Sequence, residues 1–385
     1  MINYPLSVSN WDESEQRAIE KVIKNDRYTM GKEVKKFEEG FSDFLNTKYC
    51  VMVNSGSSAN LLAVASLFYR SQGTLKRGDE VIVPAVSWST TYIPLYQYGL
   101  KLKFVDIDIK TLNYDLTALA TAITDNTKLI VAVNLLGNPN DFNKILEIIG
   151  KRNILLIEDN CESMGAEFAG QQTGTFGLIG TFSSFFSHHI STMEGGLIAT
   201  NDEEIYHILL SLRAHGWTRD LPEINKVSHK GNDAFQELFR FVLPGYNVRP
   251  LEMSGAIGIE QLKKLPSFLL QRQKNAVVYQ ELFDNHPFLE IQAEIGQSSW
   301  FGFSFMIKPN SEIERTSLVK KLADKAVECR PVAAGNFVNN EIIKWFDYEI
   351  YGELKNAQHL HENGFFIGNH HFDVTDKLRQ ISAIL

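Results

Sequence analysis

The feature that most narrows the folds open to this chain is a unit repeated through its first two-thirds: a short apolar run, a turn of small residues, then a helix-like stretch. Runs at 49–53 (YCVMV), 80–83 (EVIV), 102–105 (LKFV), 129–136 (LIVAVNLL) and 154–157 (ILLI) are rich in Val, Ile and Leu. Runs this short and this continuously apolar suit strands buried on both faces of a mostly parallel sheet. The stretches between them then serve as right-handed helical crossovers. Two further strands are expected at 181–186 (TFSSFF) and 195–200 (GGLIAT), close enough to pair across the segment between them, making seven.

From about residue 250 the texture changes. RPLEMSGAIGIEQLKKL reads as a long helix, followed by a charged helix near 267–284 and a strand in WFGFSFMI (300–307). The expected organisation is a large α/β unit over 1–265 and a smaller α+β unit over 266–385. At 385 residues and 44% hydrophobic the chain is long enough for two such cores. The polar stretch 220–235 reads as a surface loop. A net charge of −8 argues against a nucleic-acid footprint. No run of about 18 apolar residues exists to cross a membrane, and the N-terminus lacks the pattern of a signal peptide. Cys50, Cys161 and Cys329 are too scattered for a disulfide framework or a metal site. A cytoplasmic location is therefore expected.

In open α/β sheets ligands bind outside the carboxyl ends of strands, and four markers fall at such ends. Asn54-Ser55-Gly56-Ser57-Ser58 follows a strand and opens an apolar helix, so it can be an anion cradle or a plain serine cap. Trp88 follows the run at 80–83, where an aromatic ring can stack on a planar cofactor or close the core. Asp159 ends ILLIED; a carboxylate there needs a positive partner, such as a protonated ring nitrogen, unless it merely caps a helix. The fourth is Ser183-Ser184-Phe185-Phe186-Ser187-His188-His189, which runs on to Glu194-Gly195-Gly196.

The order of these pieces (the GS turn, the strand-end aromatic, EDN at 158–160, SF at 184–185, EGG at 194–196 and N-x-R at 247–249) resembles the sugar aminotransferases of the fold-type I pyridoxal-phosphate superfamily, over essentially the whole chain. In that family a lysine stands six residues before the Glu of EGG; here that position is His188. Independently of the resemblance, no lysine occurs between Lys151 and Lys226. Histidine is a poor imine former but a good acid and base near neutral pH. The resemblance therefore implies pyridoxal 5'-phosphate and pyridoxamine 5'-phosphate as cofactor forms, with loss of a sugar hydroxyl replacing transfer of an amine. It implies a GDP-linked 4-keto-6-deoxy sugar losing its C3 hydroxyl, with glutamate as amino donor, a reaction of lipopolysaccharide sugar supply. Gly56, Ser57, Trp88, Asp159, Glu162, Ser183 and Asn247 are the implied cofactor residues and His188 the catalytic one. Asp26, Arg27, Tyr28, Thr29, His215, Arg219, Arg249 and Glu328 are the implied substrate residues. Asn247 and Arg249 match a segment that reaches the neighbouring subunit's site, which implies a homodimer. Competing readings are an aminotransferase using a distant lysine, an iron–sulfur 3-dehydratase, which needs four clustered cysteines, and a sugar-nucleotide sensor without activity.

Overall fold

The computed structural model describes residues 1–309 and 311–385. Two helices, α1 (Glu13–Lys24) and α2 (Lys32–Leu45), precede the sheet, and Asp12 and Glu15 start α1 with a reciprocal capping box. The apolar runs become β1 (Tyr49–Val53), β2 (Glu80–Pro84), β3 (Lys101–Val105), β4 (Thr127–Val133) and β5 (Leu155–Asp159). Their crossovers carry α3 (Gly56–Ser66), α4 (Ser89–Gln97), α5 (Leu116–Ala122) and α6 (Phe142–Ile149). Asp115 and Asp141 begin the last two by accepting first-turn N–H bonds. A small hairpin, β6 (Glu167–Phe168) and β7 (Gln171–Gln172), leads to β8 (Ile179–Ser183) and β9 (Gly196–Thr200).

All seven expected strands lie in one sheet of order β1-β9-β8-β5-β4-β2-β3. The pairs from β8 to β3 are parallel, whereas β9 runs antiparallel to both β1 and β8. After α7 (Glu203–Arg213) comes the polar stretch expected as a loop, without regular structure until the four-residue α8 (Ala234–Glu237).

The chain then departs from expectation. The two helices foreseen around 265 are one 32-residue helix, α9 (Glu252–Phe283), with Pro266 inside it. Position 265 is thus the middle of a continuous element. Beyond it, β10 (Leu289–Glu290), β11 (Gly302–Ile307) and a later strand, β13 (Gly364–Gly368), form a three-stranded antiparallel sheet. It packs with α9, α10 (Arg315–Ala323) and α12 (Thr375–Ser382) around Tyr279, Trp300, Phe303 and Phe305, and Tyr4 from the N-terminus completes that core. Between β11 and β13, the three-residue β12 (Tyr348–Ile350) returns to pair parallel with β3 as an eighth strand of the large sheet, followed by α11 (Lys355–Asn363). Glu349 fixes it by pairing with Lys101 at 3.0 Å and Lys103 at 3.3 Å. Among the described residues no helix is long and apolar enough to cross a membrane.

Candidate active site

A cavity of about 640 Å³ opens at the carboxyl ends of β1, β2, β5 and β8, walled on the far side by the C-terminal unit. Its floor begins at the turn between β1 and α3. Ser55 is the cap, and its Oγ accepts from Ser58 N at 3.1 Å. Among the described residues no acceptor takes the N–H of Gly56 or Ser57, and both residues line the cavity. The serine is thus a cap and leaves an anion cradle as well. Gly56 has to be glycine: a Cβ there would stand 2.7 Å from Ser183 Cβ and 3.1 Å from Cys161 Sγ.

Asp159 closes β5 and is 5% exposed. Its Oδ2 accepts from Asn60 Nδ2 at 2.8 Å and Thr91 Oγ1 at 2.7 Å, and its Oδ1 from Cys161 N at 3.1 Å. No helix starts there, and no protein cation pairs with it among the described residues. A buried carboxylate held only by neutral donors suits a cationic ring nitrogen. Glu162 lies three residues on, its Oε2 accepting from Leu136 N at 2.9 Å. Burial, with Asp159 nearby, pushes its carboxyl up to about 7. Trp88 is 59% exposed at the cavity edge, so it does not close the core. Ser183 lines the cavity at the end of β8.

His188 lies in the connection from β8 to β9 and lines the cavity between Phe185 and Phe301, with ring centroids 5.9 and 5.2 Å away. Confinement among these rings draws its imidazole down to about 4; the Arg272 guanidinium acts the same way, and the Phe185 carbonyl opposes them. His189 is 1% exposed and points away, its Nε2 meeting Ser299 O at 3.1 Å. The segment is a series of turns and bends, so the divergence of the two rings does not come from strand alternation. Among the described residues no lysine lines the cavity.

The remaining expected residues lie elsewhere. Arg219 and Arg249 both face the Trp217 ring, at 4.0 and 5.7 Å, and His215 is 4.6 Å from it. Arg249 Nε donates to Asn247 Oδ1 at 3.0 Å. Asp26, Arg27, Tyr28 and Thr29 form the turn after α1; Thr29 bridges Leu251, and Glu252 N donates to Tyr28 O. These two groups meet at the start of α9, and none of them lines this chain's cavity. Glu328 is not among the lining residues either, but its Oε2 accepts from the N–H of Leu6, which is, at 3.1 Å.

Sequence reasoning missed the walls. Leu6, Ser7, Val8 and Asn10 cross the mouth, while Arg272, Phe301 and Arg330 come from the C-terminal unit.

The family model for the DegT/DnrJ/EryC1/StrS aminotransferase family matches residues 9–385. GDP-4-keto-6-deoxy-D-mannose 3-dehydratase of Yersinia pseudotuberculosis is 59% identical over 387 aligned positions, which cover 100% of this chain and 98% of that protein. The E. coli GDP-4-keto-6-deoxy-D-mannose-3-dehydratase with bound hydrated PLP superposes with a TM-score of 0.99 at 58% identity, each chain covered completely. A GDP-4-keto-6-deoxymannose-3-dehydratase with a trapped PLP-glutamate geminal diamine gives the same TM-score, identity and coverage.

Proposed function

The chain belongs to the DegT/DnrJ/EryC1/StrS aminotransferase family, and from that premise we propose that it is a pyridoxal-phosphate-dependent 3-dehydratase of GDP-4-keto-6-deoxy-D-mannose. It yields GDP-4-keto-3,6-dideoxy-D-mannose, with glutamate converted to 2-oxoglutarate and ammonia released. One observation carries the choice of dehydration over amine transfer: a histidine, His188, lines the cavity, and among the described residues no lysine does. Relatives 58–59% identical along the whole chain carry the dehydratase name, and one of them binds hydrated PLP.

The bound pyridoxamine form supplies an amine for the C4 ketone and an electron sink that lets the C3 hydroxyl leave. Asp159 would keep the ring nitrogen of the cofactor protonated, Trp88 would stack on the ring, and Glu162 and Ser183 would contribute to holding it. Gly56 and Ser57 hold the phosphate, joined by Asn247 of the partner subunit. His188 takes the proton from cofactor C4′ and delivers it to the departing C3 oxygen, which leaves as water. A ring held neutral by its dry surroundings begins as a base, and the same imidazolium is then the acid. Asp26, Arg27, Tyr28, Thr29, His215, Arg219, Arg249 and Glu328 are assigned to the nucleotide sugar. The Trp217 group serves it across a homodimer in a cytoplasmic enzyme.

The test is to incubate the protein with pyridoxal phosphate, ¹⁵N-glutamate and a panel of 4-keto-6-deoxy nucleotide sugars. A 3-deoxy product free of ¹⁵N, with labelled ammonia in solution, is expected. Label kept on the sugar would mean amine transfer. Borohydride reduction of the loaded protein should add no phosphopyridoxyl mass to the chain.

A further inference from the structure

Among the described residues two guanidiniums, Arg272 and Arg330, are the permanent cations lining the cavity, whose lining also includes the carboxylates of Asp159, Glu162 and Glu194. Arg272 is committed to the wall. Its Nη1 donates to the carbonyls of Trp300, Phe301 and Asn369 at 3.3, 3.2 and 2.9 Å, and its unpartnered Nε is sealed from solvent. Arg330 is the reverse: it is exposed, and its Nη1 donates to the adjacent Cys329 carbonyl at 2.9 Å. None of the ion pairs of the described residues includes it. Its mount is stiff, because Arg330 N and O bond to Phe366 O and N at 3.0 and 2.8 Å, and Pro331 follows. A mostly unspent fork on a fixed backbone, on a residue that lines the cavity, suits an anionic ligand.

The proposed reaction brings three kinds of anion to this site. The neutral N–H groups at the start of α3 suit the cofactor phosphate, and the paired guanidiniums at Trp217 suit the nucleotide diphosphate. Glutamate alone is left without an assigned binding group. We propose that Arg330 holds a carboxylate of the amino donor; this rests on the dehydratase reading above. A guanidinium meets a carboxylate with two parallel N–H bonds, a geometry that an ammonium reproduces poorly.

The two halves of the reaction separate this role from a sugar-binding one. Protein loaded with pyridoxal phosphate is mixed with glutamate alone, and 2-oxoglutarate formed per site is followed against glutamate concentration. In Arg330→Gln the half-saturating concentration should rise by about tenfold or more, with Arg330→Lys falling between it and wild type. Glutarate, a dicarboxylate with no amine to react, should lose affinity in parallel when titrated calorimetrically. Protein preloaded with pyridoxamine phosphate and given the GDP-sugar should show no matching defect. An equal defect in that second half would move Arg330 to the nucleotide sugar and overturn the assignment. So would an unchanged glutamate dependence in Arg330→Gln. Wild-type protein that forms no 2-oxoglutarate, or no dehydrated sugar, would instead overturn the reaction together with this assignment.

Discussion

His188 and His189 are neighbours in sequence and opposites in setting. One ring faces the cavity; the other is buried against Ser299 O. Asparagine keeps a hydrogen-bonding group of similar reach but cannot exchange a proton near pH 7. His188→Asn should therefore keep the cofactor's absorbance while dehydration falls by about 10²–10⁴-fold or more, since one residue carries two proton transfers. His189→Asn should lose much less turnover and show its effect in thermal stability instead. Near wild-type dehydration by His188→Asn would send the search for the base elsewhere. Titration adds a second residue-scale expectation. His188 and His370 are drawn down to about 4 and about 3 by burial, and His189 falls well below 6.5 for the same reason. Their folded values lie under the unfolded one, so their stability is present above pH 6.5 and is lost as pH falls toward 4. Glu158 and Glu162 have the opposite sign: raised to about 7 by burial, they favour the folded state below pH 4.5 and lose that contribution as pH rises through 7. Below pH 4.5 the two glutamates change no further, while the histidines and the carboxylates held low by their hydrogen bonds, Glu237 at about 2 among them, all lose stability, so the melting temperature of the unliganded protein should drop steeply there. His370→Gln should make that drop shallower; an unchanged acid limb would show that His370 is not among its causes.

At the scale of elements, the strands were legible because burial on both faces leaves a mark that any short window shows. β12 left none: Tyr348-Glu349-Ile350 is short and interrupted by a charge, and it becomes a strand only because Lys101 and Lys103 await Glu349. The expected break near 265 erred in the other direction. A proline usually ends a helix, yet here α9 continues through it, held by packing against α1 and α2. Of the site, the pieces contiguous in sequence were readable: the Gly56 turn, Asp159 and His188. The C-terminal wall was not, since Phe301 meets His188 only through tertiary docking. That docking runs through a strained turn. Leu136 has φ 54°, and its carbonyl accepts from Phe301 N while its N–H serves Glu162. Gly137 has φ +94°, and a Cβ there would lie 2.6 Å from Trp300 N. Gly137→Ala should therefore destabilise the protein by about 2–4 kcal/mol and loosen Phe301 from His188. Chemical denaturation measures the first effect. Tight cofactor binding with unchanged turnover would show that the docking does not matter to the site.

For the whole molecule, the Trp217 group and the cavity lie apart in one chain, while Phe235, Phe239 and Phe241 stand 81%, 68% and 56% exposed nearby. A homodimer would cover such a face and bring one chain's guanidiniums to the other's cavity. Mixing inactive His188→Asn with inactive Arg249→Ala under subunit exchange should then restore activity at about a quarter of the sites, because half the dimers become hybrids with one intact site each. No recovery from subunits shown to exchange would mean that each site is built from one chain. The return of β12 to the large sheet has a further consequence, during synthesis. Tyr348 pairs with Leu102, so the outer edge of β3 stays unpaired while more than half the chain is still being made. At about 5–20 residues per second, that open edge lasts on the order of tens of seconds. An unpaired strand edge is a template for association with other chains. A nascent chain stalled before residue 348 should accordingly recruit chaperones more strongly than one stalled beyond 385 with its last residues outside the ribosome, and the difference should shrink when β3 carries a further charge in addition to Lys101 and Lys103.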